Sequence, residues 1–105
     1  MDRLTRLRAM LDESPDDAFL RFAHGQELRN RGDAEGALAA WSALRDNDPD
    51  YVGVYYHLAE LLAESGRRAE AEACYADGIA AAQRAGDAHA LGELRNAYQN
   101  FSLGL

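Results

Sequence analysis

Two histidine–carboxylate pairs stand out among the side chains able to do chemistry, His57 with Glu60 and His89 with Glu93. Spacings of three and four residues place each pair on one face of a helix, where imidazole nitrogen and carboxylate oxygen are ligands suited to a divalent metal such as zinc. The same spacing recurs as ion pairs on any solvated helix, so these residues are read as a polar wall facing solvent and no metal is expected. His24 is expected at a core edge, its nitrogen satisfied by a neighbouring backbone group or by Arg21. Cys74 lies mid-way along an apolar helical stretch without a base nearby, and reads as a small buried hydrophobe rather than a nucleophile. No Ser-His-Asp set, glycine-rich phosphate loop or cysteine-pair zinc site can be assembled from the chain. An enzyme therefore has no residues to carry it, and no cofactor is expected.

The elements that must position these side chains are helices. Ala, Leu, Glu and Arg dominate the 105 residues, whereas Val, Ile and Thr are scarce and there are only two prolines. That composition favours helix throughout and leaves little from which to build strands. A chain of this length buries one continuous core, so a single domain over 1–105 is expected. The 11 basic and 18 acidic side chains give a net charge of -7, with the basic residues dispersed. A nucleic-acid partner needs a basic stripe and is not expected. The lone cysteine rules out an internal disulfide and suits a reducing, cytoplasmic home. Met1 to Leu11 lacks a secretory pattern, and no apolar run is long enough to span a bilayer.

The prolines set the internal ruler. Pro15 and Pro49 are 34 residues apart, each behind a capping residue, Ser14 or Asp48, and ahead of acids. Both are expected to open helices, where a first N–H is dispensable and negative charge suits the dipole. Gly32-Asp33 and Gly86-Asp87 each pair a C-terminal stop with a fresh N-cap, and Gly66 stops a further helix. The punctuation predicts six helices near 2–13, 16–31, 34–46, 50–65, 68–85 and 88–101, with connections short enough to make neighbours antiparallel. Apolar stripes agree: Leu4, Leu7, Met10 and Leu11 on the first, Ala34, Ala37, Leu38, Trp41 and Leu44 on the third, and Ala71, Tyr75, Gly78, Ile79 and Ala82 on the fifth. Leu7, Trp41, Leu44, Leu58, Tyr75 and Ile79 are the expected core.

With its 34-residue period, the chain resembles the tetratricopeptide repeat family. Tyr55, Leu58, Ala59, Leu62, Gly66, Ala71 and Tyr75 match the repeat pattern closely. Gly25, Leu28, Gly32, Ala37, Trp41 and Pro49 match it one period earlier, where Arg21 and His24 depart from positions that are usually apolar. The resemblance implies an all-α superhelix of antiparallel hairpins: a capping helix in 1–14, repeats at 15–48 and 49–85, and a capping helix with tail at 86–105. Gly25 and Ala59 are expected where helices cross, and Ala37 and Ala71 where hairpins pack. The last helix fits if the repeat before it carries two extra residues, which puts Leu91, Leu94 and Tyr98 at apolar positions, Arg95 at a small-residue position, and keeps Glu93 out of the core.

In this family a concave wall, lined by the first helix of each repeat, usually holds a peptide or partner helix. The wall positions carried over are Phe19, Phe22, Ala23, Gln26, Arg29 and Asn30, then Gly53, Tyr56, His57, Glu60, Ala63 and Glu64, then His89, Gly92, Glu93 and Asn96. Phe22 and Tyr56 are the expected aromatic anchors, with partly covered packing residues as the alternative. The family's clamp for an acidic chaperone tail needs Lys and Asn where this chain has Phe22, Gln26 and His57, so that role is disfavoured. The expected partner is an unidentified protein segment of apolar and basic character. A homodimer through Phe101, Leu103 and Leu105 is the competing expectation.

Overall fold

The computed structural model describes all 105 residues as six helices without a strand: α1 Arg3–Glu13, α2 Ala18–Asn30, α3 Ala34–Asn47, α4 Gly53–Glu64, α5 Arg68–Ala85 and α6 Ala88–Ser102. They form two compact units, Met1–Asp48 and Pro49–Leu105.

Aspartates and glycines set the helix ends. Asp2, Asp17, Asp33 and Asp87 each accept a hydrogen bond from the backbone N–H three residues on, at 2.9–3.0 Å, satisfying donors that the first helical turn leaves open. Past the other end, Gly32, Gly66 and Gly86 take φ of 83°, 77° and 68°, a region that strains any side chain. The following residues then bond back to Leu28, Leu62 and Ala82 at 2.9–3.0 Å, closing the Schellman pattern.

The prolines behave differently from the expectation that they open helices. Ser14 closes α1, its N–H bonding Met10 O, and the Asp17 N–H returns to Ser14 O at 3.1 Å, so Pro15 occupies the second position of a tight turn. Helix α2 starts only at Ala18, because Asp17 outcompetes Ser14 as its cap. Pro49 likewise precedes α4 by a turn, and Val52 leads that helix in without a side-chain cap. Here the turn is held from the side: the Tyr55 hydroxyl donates to Pro49 O, and the Arg84 guanidinium reaches Asp50 at 3.0 Å.

In the first unit, α2 packs on α3 and α1 packs on α2. Leu7, Leu28, Ala37, Leu38, Trp41 and Leu44 form its core. Met10 was grouped with Leu7 by spacing, but it is 51% exposed, because α1 has a neighbour on one side only within this unit. Trp41 is fully buried; its indole N–H donates to Phe22 O at 3.1 Å, and its ring stacks on Phe22 with centroids 5.8 Å apart. A Cβ at Gly25 would lie 2.3 Å from Trp41 Nε1 and 2.4 Å from its Cδ1, so the two helices can approach this closely only with glycine there. Arg31 bridges Asp2 and Glu27, and Arg3 joins Glu27, fixing α1 to α2.

In the second unit, α5 packs against both α4 and α6 around Val54, Tyr55, Leu58, Leu61, Leu62, Tyr75 and Leu94. Gly78 sits where its Cβ would lie 2.6 Å from Tyr55 Cβ and 3.2 Å from Leu94 Cδ2. Ile79 was expected in this core but is only half-buried, one position past the contact that Gly78 makes. Leu94 is buried while Glu93 and Arg95 stay exposed, which is the α6 register set by two extra residues.

Adding one carbon at Gly25 must displace Trp41 from its bond to Phe22 O. Gly25→Ala should therefore cost about 1–3 kcal/mol in urea unfolding and red-shift the emission of Trp41. Gly92 lies mid-helix with nothing near its missing Cβ, so Gly92→Ala should instead gain about 0.5–1 kcal/mol. Equal effects at the two sites would contradict this packing.

Candidate functional site

In the second unit, α4 supplies Tyr56, His57, Glu60 and Glu64 on successive turns, and α6 runs alongside. Two clefts open on this side. One, of about 270 Å3, is lined by Val52, Gly53, Tyr56, His57, Ala90, Glu93 and Leu94. The other, of about 280 Å3, is lined by Tyr56, Glu60, Ala63, Glu64, Tyr75, Ala97, Asn100, Phe101 and Leu105. Tyr56 borders both, half-buried, with its ring edge-on to His57 at 5.5 Å.

The wall residues expected from the sequence are therefore brought together in part. Tyr56, Glu60 and Glu64 share one cleft, and His57 and Glu93 share the other. His89 lies outside both; it is 87% exposed and pairs with Glu93 at 3.2 Å along its own helix. Asn96 is exposed on α6. No three His, Cys, Asp or Glu side chains converge as metal ligands would.

Tyr75, Ala97, Asn100 and Phe101 were missed as cleft residues, since they come from the second helix of the repeat and the end of α6. Their signal in the sequence is the aromatic at 75 facing two more at 98 and 101. The Tyr75 ring stacks on Tyr98 at 5.9 Å and meets Phe101 at 5.5 Å, and Arg68 lies 4.3 Å over Phe101 while donating to its carbonyl at 3.1 Å. Burial, and then the Glu60 carboxylate, push the Tyr75 phenol above its usual pKa, with Tyr56, Cys74 and Glu64 adding to the shift. Phe101, expected on an apolar self-association face, is thus half-covered within its own unit, whereas Leu103 and Leu105 are exposed.

In the first unit, α2 presents Phe19, Gln26 and Asn30 to solvent, with Arg29 half-buried beside them. Phe22, expected as an anchor with a partly covered packing residue as the alternative, is half-buried, its ring stacked on Trp41. Ala23 was placed on the wall but is buried. His24 corrects a further expectation. Its Nε2 is sealed from solvent and has no hydrogen-bond partner, neither Arg21 nor a backbone group. Burial, reinforced by Arg8, lowers its pKa. His24 and Arg21 line a cleft of about 540 Å3 with Leu11, Asp12 and the Ala39, Ala40 and Ala43 edge of α3. Cys74 is buried, with its thiol against Tyr55 O at 3.6 Å.

Hairpins of antiparallel helices, repeating at 34 residues with a small residue beneath each aromatic, define a helical repeat protein. The chain belongs to the tetratricopeptide repeat family, whose model matches residues 28–97. Comparison with curated proteins gives no match. Among solved structures, a tetratricopeptide repeat domain protein from Salinibacter ruber is 40% identical over 82% of this chain and 97% of that one, with a TM-score of 0.79 in its crystal form. Its solution structure gives the same identity and score over 83% and 88% of the two chains. The solution structure of a protein from Bordetella parapertussis is 31% identical over 99% of this chain and 90% of that one, with a TM-score of 0.82. The fold generally mediates protein–protein interaction. No helix is long and apolar enough to cross a membrane.

His24 yields a pH prediction. Because its folded pKa lies below the unfolded value of 6.5, the unfolded chain binds the extra proton, so stability is complete above pH 6.5 and falls as pH drops through the folded pKa. His24→Leu, which installs the residue found one period later at Leu58, should raise the melting temperature and flatten its decline between pH 7.5 and 5. An unchanged slope would mean that His24 finds a proton acceptor in solution.

Proposed function

We propose that this chain is a non-enzymatic, cytoplasmic adaptor that binds a short segment of another protein, apolar and basic in character, on the α4–α6 face of its second unit. Phe19, Gln26 and Arg29 on α2 form the corresponding face of the first unit and engage their own part of the partner. The observation that carries the reading is Tyr56, which borders two clefts and stands one helical turn from Glu60, with Glu64 a turn further on. A half-buried aromatic bordering clefts beside carboxylates supplies both apolar contact and attraction for positive charge. Acidic segments meet repulsion there, which suits the missing clamp for acidic tails. Tyr56 is the anchor to truncate, rather than Phe22, since loss of the Phe22 ring also uncovers Trp41.

Selection from a random peptide display library should enrich segments combining large apolar residues with Lys or Arg. Tyr56→Ala should weaken the enriched peptides by about 1–2 kcal/mol without loss of helicity, and Glu60→Lys should lower their association rate and its salt dependence. Enrichment of acidic peptides, or retention by both variants equal to the parent chain, would place recognition elsewhere.

A further inference from the structure

We infer that the cleft bounded by α1, α2 and α3 in the first unit is a tyrosine socket: it takes the phenol side chain of a partner segment, with the ring against Arg21 and the hydroxyl donating to the carbonyl of Pro15. The socket belongs to the other unit from the α4–α6 face and stands or falls without it.

The chain's own repeat identifies the occupant. One period after Pro15, Arg21 and His24 stand Pro49, Tyr55 and Leu58. There the Tyr55 ring is buried with its hydroxyl donating to Pro49 O, and Leu58 is buried beside it. In the first unit Arg21 and His24 are only half-buried, and they line a cleft of about 540 Å3, a volume typical of a ligand site. Leu44 fills the depth that Gly78 leaves to Tyr55, so the base of the space is closed while its outer part stays open. The lining of that outer part suits a phenol. The Arg21 guanidinium has no hydrogen bond or ion pair within the chain, which leaves its flat face for a ring. On the α3 side, Gly36, Ala39, Ala40 and Ala43 recur at spacings of three and four, so a ring meets no projecting side chain. The acceptors, Pro15 O and the Asp12 carboxylate, stand at the α1 end, and neither is bonded within the fold. They call for a donor, which a phenol has and a phenyl ring lacks, and Asp12 repels an occupant that carries a carboxylate. His24 supplies wall only, since its Nε2 is sealed below the surface.

N-acetyl-tyrosinamide and its phenylalanine and leucine counterparts would each be titrated into the 15N-labelled protein. The tyrosine probe should give saturable shifts at the Leu11, His24 and Ala40 amides. It should bind about fivefold more tightly than the phenylalanine probe, the worth of one hydrogen bond, with leucine weakest. Arg21→Ala should weaken tyrosine and phenylalanine alike, by about threefold, and leave their ratio unchanged. Ala39→Phe, at an exposed position on the α3 wall, should abolish the shifts with helicity intact. Tyr56→Ala should leave tyrosine binding as it is. Equal affinity for tyrosine and phenylalanine, no saturable shift, or shifts that survive Ala39→Phe would each overturn the socket. Shifts that centre on Tyr56 and vanish in Tyr56→Ala would move the aromatic contact to the α4–α6 face, so that the socket falls while that face stands.

Discussion

Everything in the first unit is arranged around the Trp41 indole lying in the space that a side chain at Gly25 would occupy. Without a Cβ at 25 the ring enters the helix surface, its N–H reaches Phe22 O, and its outer face is left for the Phe22 ring to cover. A glycine within a helix costs about 1 kcal/mol in backbone entropy, and a fully buried indole with its one donor satisfied offsets that loss. The second unit solves the same problem with different volumes. One period after Gly25 and Trp41 stand Ala59 and Tyr75, the smaller ring paired with the larger small residue. One period after Arg21 and Leu44 stand Tyr55 and Gly78, where bulk has moved from α5 to α4. Such compensated exchanges keep the interhelix distance while the residues change, which is how two repeats of unlike composition share one backbone.

Helix number and order, and the α6 register, were legible because they rest on local chemistry that leaves fixed spacings: glycine in the left-handed region, an aspartate cap after it, and apolar residues every three or four positions. The α6 register follows because only one alignment keeps Glu93 out of the core and Leu94 in it. The prolines were misread because a run of Ser14, Pro15, Asp16 and Asp17 offers two possible caps. Only the hydrogen bond that Leu20 N–H donates to Asp17 Oδ1 shows which is used. Met10 and Ile79 fit the stripes by period, yet a stripe marks only the direction a helix must bury and not how much of it a neighbour reaches.

The candidate site was legible along α4 and less so elsewhere. Tyr56, Glu60 and Glu64 recur at helical spacing on one element, so a single helix face is enough to group them. Tyr75, Asn100 and Phe101 join them only through the angle at which α5 and α6 pack, and no local period records that angle. His24 shows the opposite failure. Its departure from the repeat pattern was visible in the sequence, but the orphaned Nε2 depends on which atoms surround it.

The distribution of charge ties stability to function. Several arginines are spent inside their own units: Arg3 and Arg31 join α1 to α2, Arg84 holds the Asp50 turn, and Arg68 covers Phe101. Each exposed pair adds little to stability by itself, so what these contacts contribute is position, in fixing helix ends and the tail of α6. Acids outnumber these arginines along the chain, and on α4 Glu60 and Glu64 line an aromatic cleft. If partners dock there as proposed, such a face would draw basic segments over distances set by the Debye length and repel acidic ones before any contact forms. Selection by charge would then act at the encounter, and the aromatic side chains would determine how long the encounter lasts.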